Sequence, residues 1–249
     1  MEHEVFKLYS KYYNLFYADK KYTSEVEYVD GVIKRFAPEA KSILEYGSGT
    51  GGHGLLLQKL GYSMMGIERS EEMAKIAQNK GYPCQIADIL EFETNKDYDV
   101  CIALFHVISY INSNHDLVKL FQKTRKVLTK TGIFVFDVWF SPAVMNQMPE
   151  VRIKKVEDEE VIVTRLADPA IDYLSNVVTV NYQVFIKNKK NNQFAELFES
   201  HPMRHFSFPE IELLAQQTGF TVLKAEEFLT GAPPTNKTWG VNFILQAKP

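Results

Sequence analysis

Glu45-Tyr46-Gly47-Ser48-Gly49-Thr50-Gly51-Gly52-His53-Gly54 is the stretch on which the reading of this chain turns. It follows a compact apolar run, Ser42–Tyr46, that reads as a strand, and it leads into a helix expected over Gly54–Leu60. Glycines at a strand-to-helix turn let the backbone approach a ligand closely, and the helix N-terminus adds a positive end. Read literally, Gly47, Gly49 and Gly52 also satisfy the dinucleotide pattern G-x-G-x-x-G. That pattern alone does not choose a ligand, so its neighbours must.

Three acids do so. Glu45 ends the first strand, two residues before Gly47, where a carboxylate attracts a cationic ligand end and repels a pyrophosphate. Glu68 ends the next strand, Ser63–Ile67, and is placed to accept both hydroxyls of a ribose, as a similar acid does in dehydrogenases. Asp88 follows a third strand, Cys84–Ala87, and with Ile89 is positioned to read an adenine amino group and cover the ring. These residues fall at the carboxyl ends of three successive strands, where open α/β sheets bind ligands. The set favours S-adenosylmethionine (SAM) over NAD.

Outward from this core, Ser70 reads as an N-cap with Glu71 and Glu72 in the first turn of a helix that stops near Gly81. Strands are expected at Tyr98–Phe105 and Gly132–Trp139, with a helix from Asp116 to Leu128 between them. Strands alternating with helices predict a parallel sheet covered on both faces. After Pro142 the pattern changes. Glu160–Leu166, Asn176–Lys187 and Phe194–Phe206 alternate polar and apolar residues like antiparallel strands with one wet face. Ser207 and Glu210 have capping-box spacing ahead of a helix ending at Gly219, and strands at Thr221–Phe228 and Val241–Ala247 close the pattern. The tyrosine-rich first 35 residues have helical spacing. The expected organisation is one α/β domain: an N-terminal cap over 1–37, a ligand-binding core over 38–149 and 207–249, and an antiparallel insertion over 150–206 on the substrate side.

Bulk properties exclude other classes. The chain has 249 residues, 45% hydrophobic and 24% charged, with a formal net charge of -3. No basic excess points to nucleic acid. The longest apolar run, Val100 to Ile111, is broken by His106 and Ser109 and falls short of the roughly 20 residues that span a bilayer. The first residues lack a signal-peptide core, and the two cysteines, Cys84 and Cys101, lie in stretches that read as core strands, so a reducing, cytoplasmic setting is expected. The acidic run Glu157–Glu160 sits at an expected hairpin turn with a spacing that suits no common metal loop, and no metal is expected.

Residues 40 to 140 resemble the class I SAM-dependent methyltransferase core, a Rossmann-like α/β fold whose first motif is E/D-x-G-x-G-x-G. The likeness extends to bacterial N-methyltransferases of nucleotide-linked amino sugars on four stretches: Tyr13–Tyr17 with Lys21-Tyr22, Met65–Met73, Asp137–Pro142 (similar to E-P-W-W-F-P) and Glu199–Phe206. Arg69 stands where a small or apolar residue is common, and Tyr110 where the sugar enzymes carry a histidine. The resemblance implies cofactor contacts from Tyr13, Tyr22, Glu45, Gly47, Ser48, Gly49, Gly51, Glu68, Arg69, Met73, Asp88, Ile89 and Leu104. It implies substrate contacts from Tyr17, Trp139, Arg165, His201 and Arg204, with the two arginines suited to phosphate oxygens. Tyr9, His106 and Tyr110 are the candidate catalytic groups. In-line methyl transfer needs mainly a neutral nucleophile held close, and for an amine a general base is optional.

The expected activity is therefore N-methylation of a nucleotide-linked deoxyamino sugar, with N- or O-methylation of another small metabolite as the alternative. An NAD(P) oxidoreductase and a non-catalytic SAM-binding protein stay open. A nucleic-acid methyltransferase would carry an Asn/Asp-Pro-Pro-aromatic segment where this chain has Leu104-Phe105-His106-Val107. The expected partner is a small-molecule acceptor, with neither nucleic acid nor membrane, and the broad insertion leaves a homodimer open.

Overall fold

The structure, a computed structural model, describes residues 15–16 and 22–248. Tyr9, Tyr13 and Tyr17 lie outside the described residues. The chain divides into two compact units, one joining 22–147 to 205–248 and the other joining 148–204 to Leu15 and Phe16.

The larger unit is a seven-stranded sheet with helices on both faces. In chain order it comprises α1 (Tyr22–Phe36), β1 (Ser42–Tyr46), α2 (Gly52–Lys59), β2 (Ser63–Glu68), α3 (Glu71–Asn79), β3 (Cys84–Ile86), β4 (Tyr98–Ala103), a 3-10 turn (Val107–Tyr110), α4 (Asn114–Val127), β5 (Leu128–Trp139) and a short α5 (Ser141–Asn146). In the other unit lie β6 (Arg152–Glu157), β7 (Val161–Asp172), β8 (Val177–Asn188) and β9 (Phe194–Arg204), after which α6 (Phe208–Gln217), β10 (Phe220–Glu227) and β11 (Gly240–Ala247) return to the first.

The sheet order is β10-β11-β5-β4-β1-β2-β3. The β1–β2, β2–β3, β1–β4 and β4–β5 pairs are parallel, whereas β11 runs antiparallel to β5 and β10. The expectation of a parallel sheet thus holds for five strands, and the closing hairpin adds an antiparallel edge, a common device in doubly wound folds. The order reverses between β1 and β4, which opens a crevice at their carboxyl ends.

Alternation along the strands divides the core. Leu44, Tyr46, Phe134, Phe136 and Phe243 pack with Phe121 of α4 and Ile211 of α6 on one face. Ile43, Val100, Ile102, Val135 and Ile244 pack with Val29 and Ile33 of α1 and Leu57 of α2 on the other. Local signals place the helices on these faces. Ser70 accepts a hydrogen bond from Met73 N at 3.4 Å, and Ser207 with Glu210 completes a capping box.

In the second unit β6-β7-β8-β9 form an antiparallel sheet whose buried face gathers Phe16, Val163, Val184, Ile186 and Leu197. Pro169 falls where β7 has outrun β6, whose last partner is Ala167, so its missing N–H is not required by a neighbour.

Several expectations need correction. Cys101 is fully buried, but Cys84 is only half-buried because β3 is the edge strand. Strand β6, absent from the sequence reading, has five of its six side chains exposed and therefore shows no amphipathic alternation. α2 starts at Gly52 rather than Gly54, and β5 starts at Leu128 directly after α4. The strand expected to run to Phe105 ends at Ala103, because the backbone there enters the left-handed region.

Candidate active site

The glycine loop is built around one buried ring. Tyr82, 1% exposed, lies where side chains at Gly54 and Gly66 would stand, with added Cβ atoms meeting it at 2.2 and 2.5 Å. Its hydroxyl donates to Glu45 Oε2 at 2.5 Å, which fixes the carboxylate at the end of β1. Burial, with the Glu45 charge beside it, holds the phenol well above its ordinary range, so Tyr82 acts as a neutral donor. His53, in the first turn of α2, bridges Glu45 to the cap. Its Nε2 donates to Glu25 Oε2 at 2.5 Å and its Nδ1 lies 3.9 Å from Glu45 Oε1. Tyr22 meets the His53 ring edge-on at 4.9 Å and presses against Gly52.

Glu68, 8% exposed, ties the loop to the next strand end. One oxygen accepts from Gly49 N at 2.9 Å and the other from Ser70 N at 2.7 Å. A carboxylate has about four lone-pair directions, so two stay available for ribose hydroxyls. Gly47 and Gly49 are both left-handed, at φ +63° and +55°. A Cβ at Gly47 would strike Val107 at 2.5 Å, whereas one at Gly49 meets nothing within 4 Å. That open space beside a backbone amide is what close approach of a ligand requires. Gly51 supplies the left-handed N-cap of α2, and Ser48 Oγ contacts Cys84 Sγ at 3.4 Å.

The other expected cofactor residues are arranged around this loop. Asp88 is exposed and accepts from Leu90 N at 2.8 Å, and Ile89 packs on the core beside it. Met73 lies in the first turn of α3, Arg69 is exposed, and Leu104 is buried in the core. The residues present fit SAM: an acid for the cationic end, an open glycine amide and an acid at the ribose position.

At the ends of β4 and β5 lies a second constellation. Asp137, 2% exposed, accepts from Phe105 N at 2.7 Å and from His106 N at 3.2 Å, and its Oδ2 is 2.7 Å from His106 Nδ1. Burial raises the Asp137 carboxyl, but the adjacent imidazole and these amides outweigh it and hold the group below the ordinary range. His106 lies 5.9 Å from the Phe105 ring and 6.0 Å from Trp139, which in turn meets Trp239 edge-on at 5.8 Å. Tyr110, in the adjoining 3-10 turn, is exposed. A cleft of about 410 Å³ opens here, lined by residues that include Glu25, Phe105, His106, Asp137, Glu227 and Phe228. None of its lining residues is a lysine or an arginine.

The antiparallel unit brings some predicted residues together and separates others. The Arg165 guanidinium lies over Tyr182 at 4.5 Å and over Phe16 at 4.6 Å. Tyr182 meets His201 at 5.1 Å, and His201 Nε2 lies 3.0 Å from Glu199 Oε2. Alternation along β9 puts Arg204 on the opposite face from His201 and hence from Arg165. The two arginines expected to grip one diphosphate do not share a face.

Glu25, His53, Tyr82 and Asp137 were not predicted as site residues. Asp137 was visible as the first residue of the W-F-x-P-like segment, and His53 within the glycine stretch, but their partners lie 31 and 28 residues away. Among the described residues no group of three metal-ligating side chains converges, and no helix is long and apolar enough to cross a membrane.

Residues 21–225 match the methyltransferase-domain family. The chain is 23% identical, over 86% of its length and 83% of the relative's, to the dTDP-4-amino-2,3,4,6-tetradeoxy-D-glucose N,N-dimethyltransferase of Saccharopolyspora spinosa. Its fold resembles that of a SAM-dependent methyltransferase from Clostridium acetobutylicum, with TM-score 0.82, 18% identity and 98% of both chains covered. It also resembles Streptomyces venezuelae DesVI, with TM-score 0.81, 19% identity and 97% and 98% covered. With the glycine loop, Glu45 and Glu68 in place at the switch point of the sheet, the chain belongs to the methyltransferase-domain family and is a SAM-dependent methyltransferase.

Proposed function

We propose that the protein methylates the amino group of a small acceptor, in the first place a nucleotide-linked deoxyamino sugar. The observation that carries this reading is the cleft at the ends of β4 and β5. Its volume of about 410 Å³ suits a small molecule, and its lining of carboxylates, an imidazole and aromatic rings suits a cationic amine. The names of relatives such as the S. spinosa dimethyltransferase support the sugar.

Glu45 draws the cationic amino-acid end of the cofactor to the loop, Glu68 holds the ribose, and Asp88 with Ile89 bounds the adenine. The donor's methyl is already electrophilic when bound, so the chain's task is to orient the two reactants and keep water away. His106 and Tyr110 stand at the acceptor side, with Trp139 as an aromatic wall. Arg165, stiffened by two rings, and Arg204, on the opposite face of the same sheet, are separate candidates for a phosphate and do not act as a pair.

The absence of lysine and arginine from the cleft lining favours one second reading, a free amine without a phosphate near the nitrogen. Methyl transfer followed by mass spectrometry, with dTDP-linked amino sugars, free amines and hydroxyl analogues as acceptors, separates the two. Preference for a small free amine over every nucleotide sugar removes the sugar reading and leaves the methyltransferase intact.

A further inference from the structure

The strongest local anomaly in the chain is at the end of β4. Phe105 and His106 are consecutive non-glycine residues in the left-handed region, at φ +66° and +62°. Residues with a side chain keep this conformation only where their surroundings impose it, and they cluster at functional sites. One buried side chain imposes both. The two oxygens of Asp137 receive the Phe105 and His106 amides and meet the His106 ring as well.

That arrangement fixes the imidazole's proton. Nδ1 lies 2.7 Å from a carboxylate oxygen, too close for two bare acceptors, so the pair shares a proton although its angle is not that of a regular hydrogen bond. Nδ1 has no contact with solvent, yet the His106 side chain is 23% exposed, so solvent reaches the ring at its other atoms. Cε1 faces Gly240, where a Cβ would sit 3.7 Å away, and the residue is part of the cleft wall. In the neutral ring with its proton on Nδ1, Nε2 carries the bare lone pair.

We propose that His106 is the proton acceptor for the incoming amine and that Asp137 is its positioning residue, so that the enzyme accepts its substrate as an ammonium ion. This rests on the methyltransferase reading and adds to it the ionisation state of the acceptor. The ammonium passes one proton to Nε2. The freed lone pair then forms the N–C bond as the S–C bond breaks and its electrons return to sulfur. The methylated amine leaves as an ammonium, and His106 returns the proton to water. The other titratable groups lining the cleft are Glu25 from α1 and Glu227 at the end of β10. Both are carboxylates, which favour an ammonium in the cleft.

The test has two arms. The first is nitrogen-15 NMR of the imidazole in the wild-type protein and in Asp137→Asn. The wild type shows Nδ1–H with a bare Nε2 at a pH where the ring is neutral, and Asp137→Asn loses that tautomer preference. The second is methylation of a dTDP-linked 4-amino sugar and of a simple alkylamine by wild type and His106→Gln across pH. His106→Gln leaves the two backbone amides on Asp137 and serves if Asp137→Asn does not fold. At neutral pH the variant loses about 10²- to 10⁴-fold in methylation rate. The loss shrinks towards nothing as pH passes the acceptor's own pKa, where the amine arrives neutral.

A loss that is the same at every pH, or a wild-type Nε2–H tautomer, overturns the proposal. SAM affinity by calorimetry is read in parallel and stays unchanged in His106→Gln. Wild-type protein that binds no SAM overturns the methyltransferase reading itself, whereas normal SAM binding with a pH-independent loss overturns only the role of the dyad.

Discussion

Replacing Glu68 by alanine tests the cofactor cradle at its most connected residue. The carboxylate holds Gly49 N at 2.9 Å and Ser70 N at 2.7 Å, so it joins the glycine loop to the start of α3 while keeping two lone-pair directions for ribose hydroxyls. Hydrogen bonds to a charged group contribute about 1.5–3 kcal/mol each. Loss of two ribose bonds therefore weakens SAM by about 3–6 kcal/mol, roughly 10²- to 10⁴-fold in Kd. The two amides lose their acceptor as well, but they lie beside an open crevice where water can replace it, so the unliganded fold loses less. Calorimetric titration with SAM and with S-adenosylhomocysteine measures the first effect, and thermal unfolding without ligand measures the second. A Glu68→Ala protein that folds and binds SAM within threefold of wild type refutes the assignment of Glu68 to the ribose.

Further outcomes follow from the same geometry. Gly54→Ala drives a Cβ to within 2.2 Å of the Tyr82 ring, which is locked by Glu45, and should destabilise the fold by about 1–3 kcal/mol in thermal denaturation. Burial raises the Asp99 carboxyl, but hydrogen bonds from Lys41 N, Ser42 N and Ser42 Oγ outweigh it and keep the group below its ordinary range. The stabilisation from Asp99 is therefore complete above the unfolded-state pKa of about 3.9 and is lost as pH falls through the folded-state value; Asp99→Asn should flatten that part of the acid-stability curve. Arg165→Ala should raise the KM for a nucleotide-linked acceptor far more than it lowers kcat, with SAM affinity unchanged, because it removes binding energy remote from the reacting centre. Equal loss in kcat would return Arg165 to a structural role as the filling between Phe16 and Tyr182.

What could be seen in the sequence was what is local. Ser42–Tyr46 has the same bounds in the structure because its burial on both faces appears as a compact, mostly apolar run ahead of the glycines. The Ser207–Glu210 capping box was legible because both partners lie within one helical turn. Strand β6 was not, since its mostly exposed side chains show no period. The acids at the ends of β1, β2 and β3 could be read from strand order. Asp137 as the support of His106 could not, because the pairing of β4 with β5 brings together residues 31 apart. The same holds for Glu25 and His53, which meet only when α1 packs on α2. The separation of Arg165 from Arg204 depended on the strand register, which decides the face of every side chain at once.

The most direct test of the account is transfer itself. The protein is incubated with SAM bearing a trideuterated methyl group and a panel of dTDP-linked amino sugars, free amines and hydroxyl analogues, and each acceptor is weighed by mass spectrometry. One or more labelled methyl groups are expected on the nitrogen of an amine acceptor, formed in step with S-adenosylhomocysteine and absent from hydroxyl analogues. Label appearing only on oxygen, or SAM binding with no transfer to any amine in the panel, would contradict it.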